Sequence, residues 1–220
     1  MIRTSDQLIE KIAEDLIWRR KELTDLRAMV QGFGNDSLRS KVLMRCAIAL
    51  LYAHWEGFVK KSSSYYLEYV ASHRLPYSKL AANFVGLALK SKIAVAAESR
   101  KMSACNALAD FFCFSMDRQS TIPFKEGVDT GSNLSSKVLT DILLALGLDE
   151  RKFATRLNYI DSKLVDPRNR IAHGEALSIS ITEYLDLHDS VVGLIETYRN
   201  EVENASVLRS FERGILAPAI

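Results

Sequence analysis

An all-α bundle is the fold class that this sequence predicts, and three observations predict it. Apolar residues recur at intervals of three and four along most of the chain. Two capping-box spacings, Thr4 with Gln7 and Ser180 with Glu183, mark helix starts. Only 4 Pro and 10 Gly interrupt 220 residues. Hydrophobic residues at 48% and charged residues at 25% exclude collagen-like, low-complexity and disordered classes. The length suits one domain with additions better than two independent ones, so residues 1–220 read as a single domain.

The elements follow in order. After Thr4, Leu8, Ile12, Leu16, Leu23, Leu26 and Val30 run at helical intervals until Gly32 and Gly34 stop them. A second helix takes its cap from Asn35, Asp36 or Ser37 and carries Leu38, Val42, Cys46, Ala49, Ala53, Val59, Tyr66 and Val70 as one stripe to about Ser72. At roughly 35 residues it exceeds 50 Å, and Gly57 is the place for a bend. Residues 78–90 and 104–114 read as shorter helices, and 116–133 is a long polar loop of the kind that is either functional or mobile. Residues 134–146 resume a helical pattern that Gly147 closes. Residues 151–165 give another helix, and Asp166 before Pro167 reads as a cap and first helical position. Ser180 opens the last helix, with Leu185, Val192, Ile195, Tyr198 and Val202 on its buried side. Residues 176–181 alternate like a strand but are too few and too solitary for a sheet.

Composition narrows the function. Cys46, Cys105 and Cys113 are odd in number and lack C-x-x-C spacing, which fits buried free thiols in a reducing compartment. The apolar run from Cys46 to Ala53 is too short to span a bilayer, and MIRTSDQL carries neither a signal core nor a transit pattern. A cytoplasmic protein without membrane association is expected. A net charge of +2 excludes a strongly basic nucleic-acid coat protein and confines any nucleic-acid contact to a local patch.

Nucleotide loops, nucleophile elbows and zinc-protease signatures are absent. None of the four histidines, His54, His73, His173 and His188, stands four residues from another, so no metal and no cofactor is expected. His188 with Asp189 reads as a surface pair, and His73 as a partner for a helix C-terminus. The informative segment is DPRNRIAHGE, residues 166–175. Asn169 and His173 are four apart and share a helix face, and the long side chain of Arg168 reaches the same cleft. A guanidinium beside an imidazole suits phosphodiester chemistry, the cation holding phosphate oxygens while the ring moves a proton. Residues 151–175 carry six Lys or Arg against three Asp or Glu, and Arg156, Lys163 and Arg170 can guide a nucleic-acid backbone.

His54 and Glu56 are two apart on the second helix and point about 200° from each other, so at most one faces that cleft. Glu56 is the choice, as a group facing the cleft or as a buried polar anchor of the bundle. Trp55, Phe58, Tyr65 and Tyr66 read either as stacking platforms for nucleic-acid bases or as core and dimer-interface aromatics.

RNRIAHGE, in which Arg168 is followed at once by the polar Asn169 and four residues separate Arg168 from His173, resembles the motif of the HEPN domain, and LLYAHWEGFVKK (residues 50–61) resembles the second helix of its MAE-like branch, associated with microbial defence and conflict loci. The resemblance covers about a third of the chain. It implies a HEPN-like bundle with long first and second helices, residues 73–150 being an insertion or extra helices before the motif. It also implies metal-independent, toxin-like or defence-associated cleavage of RNA by 2′-hydroxyl attack. The active form it implies is a homodimer whose two motifs line one cleft, with an antitoxin or defence-system protein as a further partner. By the same resemblance Arg168 stabilises the phosphate, His173 transfers or orients a proton and Asn169 positions one of them. Pro167 stands outside the family pattern. The alternatives are a non-catalytic HEPN interaction or nucleotide-sensing module, and a helical adaptor with an accidental motif.

Overall fold

The computed structural model describes residues 1–32, 38–99, 101–124, 128–131 and 133–214. Three long helices make the body: α1 (Ser5–Gly32), α2 (Leu38–Ser72) and, at the end of the chain, α8 (Ile181–Val207), each packed against the other two. Between them lie a 3-10 turn (Tyr77–Lys79), α3 (Ala82–Glu98), α4 (Met102–Phe114), α5 (Ser136–Leu146), two 3-10 turns (Glu150–Lys152 and Ala154–Arg156), a single turn α6 (Leu157–Tyr159), a π-helical turn (Ile160–Val165) and α7 (Asp166–Ala172). The described residues contain no sheet, and Ala176–Ser180 is irregular chain.

The first helix behaves as its sequence predicts. Thr4 accepts the Gln7 N–H, and Gln7 reaches back to the Arg3 N–H rather than to Thr4 itself. All six expected apolar residues are buried, and Arg19 occupies the place in the same stripe between Leu16 and Leu23. The proposed caps Asn35, Asp36 and Ser37, and the stop at Gly34, fall outside the described residues.

The stripe expected for α2 needs correction. Leu38 and Val42 are 79% and 52% exposed, and Cys46 and Ala53 are exposed too. The core instead takes Met44, Ala47, Ile48, Leu51, Trp55 and Phe58, joined further on by the expected Val59, Tyr66 and Val70. Both faces of the first half of α2 are apolar, so periodicity alone picks neither. The helix runs unbroken through Gly57, where a Cβ would stand 3.1 Å from Arg19 Nη1: glycine makes room for a guanidinium, not a bend. By length and composition α2 could cross a membrane, but half of that window is buried inside the bundle. Of the aromatics, Trp55, Phe58 and Tyr66 are core, each worth on the order of 2–3 kcal/mol of burial. Trp55 meets Tyr198 edge-on at 6.1 Å, and the buried Tyr198 hydroxyl is 2.6 Å from Ser63 Oγ.

Three further expectations change. Cys46, Cys105 and Cys113 are free but exposed, because Cys46 lies on the outer face of α2 and α4 buries only Phe111. His188 is buried where α8 crosses α1, its Nε2 3.1 Å from the Leu23 carbonyl, and only Asp189 of that pair is at the surface. Residues 151–165 form short 3-10, α and π turns instead of one α-helix, and Asp166 continues out of the π turn without capping α7 by its side chain. The third helix starts and ends later than 78–90, at Ala82 and Glu98, while α5 ends at Gly147 and α8 opens on the full Ser180–Glu183 capping box, as predicted. His73 Nδ1 lies 2.9 Å from the Tyr69 carbonyl at the end of α2, as expected of a C-terminal partner.

Candidate active site

The π turn delivers the chain straight into α7, which packs against α2. Pro167 occupies the first turn of α7, directly after the π turn, so its missing N–H breaks no bond within α7 itself and it is compatible with the motif helix. The helix ends on a Schellman arrangement: the Gly174 N–H bonds the Ile171 carbonyl, the Glu175 N–H bonds the Arg170 carbonyl, and Gly174 takes φ 79°. A residue without Cβ at that position ends the helix directly after His173, which explains the glycine that follows the histidine.

Arg168 is half-buried and lies over the Tyr52 ring, its Cζ 4.7 Å from the ring centre. Its Nη1 donates to Asn133 Oδ1 at 2.6 Å and to Asn169 Oδ1 at 2.9 Å. Together with Ala49, Tyr52, Ala53, Glu56, Ile171 and Ala172 it lines a cleft of about 220 Å³. Glu56 therefore faces the motif, with its Oε1 accepting from Thr130 Oγ1 at 2.7 Å. His54 points away to α1, where it touches Trp18 and Glu22. Burial pushes the Tyr52 hydroxyl above its ordinary value; the Leu134 N–H that it accepts at 2.7 Å acts in the opposite direction.

His173 is exposed at the C-cap, its backbone N–H bonded to the Asn169 carbonyl, and it is not among the residues lining the cleft. The structure thus brings Arg168 onto Asn169, places Arg168 and Glu56 in one cleft, and leaves His173 outside its lining. Of the proposed backbone guides, Lys163 and Arg156 are exposed, Arg156 against Gly193 of α8, whereas Arg170 pairs with Glu175 at 3.0 Å. Among the described residues no group of three or more His, Cys, Asp or Glu is placed to hold a metal ion.

Sequence reasoning missed Tyr52, Thr130 and Asn133. Thr130 and Asn133 lie 74 and 35 residues from the partners they meet, in a loop without periodicity. Their one visible signal is that the loop is long.

A family model described as RiboL-PSP-HEPN matches residues 14–204. It bears out the HEPN resemblance and does not speak for the MAE-like branch. No curated protein and no solved structure matches the chain significantly.

Proposed function

The chain belongs to the RiboL-PSP-HEPN family, and from that premise we propose that it is a metal-independent endoribonuclease, toxin-like or defence-associated, acting on RNA in the cytoplasm. The observation that carries the reading is the state of Arg168: both of its fixed acceptors are neutral amides, so its positive charge remains available at the mouth of an open cleft. With Nη1 engaged, the Nη2 and Nε N–H groups remain to grip two phosphate oxygens.

In the proposed reaction the ribose 2′-oxygen attacks the adjacent phosphorus and loses its proton. The new P–O2′ bond forms as the P–O5′ bond breaks, the departing 5′-oxygen takes up a proton, and the products are a 2′,3′-cyclic phosphate and a 5′-hydroxyl. Arg168 stabilises the charge that builds on the phosphoryl oxygens, Asn169 keeps the guanidinium in plane, and His173 carries one of the two protons. Arg156, Lys163 and Glu56 border the path of the strand. Arg170, already paired, contributes less.

That His173 is exposed and does not line the cleft favours a homodimer in which each motif turn faces the other. The exposed apolar face of α2, with Leu38, Val42, Cys46 and Ala53, adjoins the cleft and supplies the contact; an antitoxin or defence-system protein would cover the same face. The same exposed His173 also favours the second reading, a HEPN module that binds RNA, a nucleotide or a protein without cutting.

The deciding experiment incubates labelled RNA with purified protein in chelator, beside Arg168→Ala and His173→Ala. Cyclic-phosphate and 5′-hydroxyl ends that vanish in both variants support the nuclease. Products with 5′-phosphates sink the mechanism, and tight RNA binding without products supports the second reading. Light scattering, then restoration of cleavage on mixing the two inactive variants, tests the shared cleft.

A further inference from the structure

Polar contacts from Thr130, Asn133 and Leu134 reach three residues that line the motif cleft, Glu56, Arg168 and Tyr52. Thr130 Oγ1 donates to Glu56, Asn133 Oδ1 accepts from Arg168, and the Leu134 N–H donates to the Tyr52 hydroxyl beneath the guanidinium. The start of α5 is pinned in turn, since Asp161 of the π turn accepts the Ser136 N–H at 2.7 Å. The loop is therefore anchored both to α2 and to the turn that leads into the motif helix.

The chemistry of these contacts is selective. Elsewhere guanidiniums are fixed by carboxylates: Arg19 by Asp15, Arg27 by Asp189, Arg151 by Asp149 and Arg209 by Glu212. Such a partner orients an arginine and also cancels its charge. Asn133 and Asn169 orient Arg168 through amide oxygens, which accept hydrogen bonds but carry no net charge. Glu56 is the carboxylate of the cleft, yet its Oε1 takes the Thr130 hydroxyl, the Tyr52 hydroxyl also interacts with it, and no Arg168–Glu56 ion pair forms among the described residues. A guanidinium held rigid but not neutralised is what preorganised binding of a phosphate requires.

We infer that Asn133 and Thr130 are positioning residues of this site: Asn133 aims the Arg168 guanidinium through a neutral acceptor, and Thr130 keeps the Glu56 carboxylate from pairing with it. The inference rests on the RNA-cleaving reading of the cleft. It brings the loop ahead of α5 into the phosphate-binding machinery, although that loop lies far from both family-like segments.

The sharpest test is Asn133→Asp, nearly the same in shape but anionic. The variant should melt at or above the wild-type temperature, because an ion pair replaces a neutral bond. It should bind an uncleavable 2′-fluoro RNA oligonucleotide about tenfold more weakly, with a salt slope lower by about one, as befits one lost phosphate contact. Thr130→Val should weaken binding in the same direction and Thr130→Ser restore it; Asn133→Ala should lower kcat more than it raises KM. Wild-type binding and cleavage by Asn133→Asp would overturn the inference. If wild type neither binds nor cuts RNA, the nuclease reading falls instead, and nitrogen-15 NMR of the Arg168 guanidinium still decides on the contact. Hindered rotation released by Asn133→Ala upholds the positioning role, and rotation unaltered by that substitution overturns it.

Discussion

Arg19 and Arg168 lie against neighbouring turns of α2 on different faces. Arg19 sits beside Gly57, donates to the His54 carbonyl at 3.2 Å and pairs with Asp15 at 2.6 Å, its side chain only 8% exposed. Arg168 lies over Tyr52 at the wall of an open cleft, held by two amides. The first guanidinium is neutralised and sealed into the contact between α1 and α2. The second is fixed in place with its charge intact. One cation closes a helix pair and the other stands at the wall of a cleft, and the partners differ accordingly: a carboxylate for Arg19, two amides for Arg168.

Truncating the two arginines should separate these roles most strongly. Arg168→Ala should lower the RNA cleavage rate by about 10²–10³-fold while changing the melting temperature little, because water replaces the guanidinium at Asn133 and Asn169. Equal cleavage by the variant would remove the contrast altogether. Arg19→Ala should do the reverse. Leaving Asp15 unpaired in a contact where it is 11% exposed should cost about 3 kcal/mol in chemical denaturation, with cleavage per folded molecule unchanged.

A smaller effect probes the buried face through pH. Burial holds the His54 imidazole below its ordinary value of 6.5, against the opposing pull of Glu22, whose Oε2 is 2.9 Å from Nε2 but poorly aligned for a hydrogen bond; Arg19 adds to the depression and Asp15 opposes it. The unfolded chain then takes up a proton that the folded chain resists. Stability is fully present above pH 6.5 and should fall as the pH drops below it, by at most about 1.4 kcal/mol per pH unit. His54→Gln should flatten that slope in denaturation midpoints taken between pH 7.5 and 5.5; an unchanged slope would assign the loss to another group. The smallest effect expected is at Lys163, exposed on the π turn. Lys163→Ala should reduce the salt dependence of RNA binding by about one contact or less and leave the cleavage rate at saturation unaltered.

Much of the Arg168 side was legible in the sequence. Arg168, Asn169 and His173 sit on one short helix, Glu56 and not His54 turns towards them, and the capping boxes mark the starts of α1 and α8. Local periodicity and capping chemistry carry that information within a few residues. The buried face was less legible. An arginine at a core position between Leu16 and Leu23, with a glycine opposite at residue 57, is a long-range fit whose two halves mean little apart. The outer apolar face of α2 misled for a related reason: a helix apolar on two faces gives no indication which one the bundle takes. Thr130 and Asn133 lay beyond reach because a loop's partners depend on the completed tertiary structure.

The π turn at Ile160–Val165 carries a consequence for how this chain can vary. A helix advances about 100° per residue, and the turn runs directly into α7, so the azimuth of Arg168 over Tyr52 depends on how many residues precede it. A single insertion or deletion there would swing the guanidinium off the ring and away from Asn133 even if every motif residue were kept. Changes of residue type leave that phase untouched so long as Ile160 and Leu164 still fill the core. This stretch therefore preserves a count more than a composition: drift in its letters is compatible with an intact cleft, and a shift in its length is not.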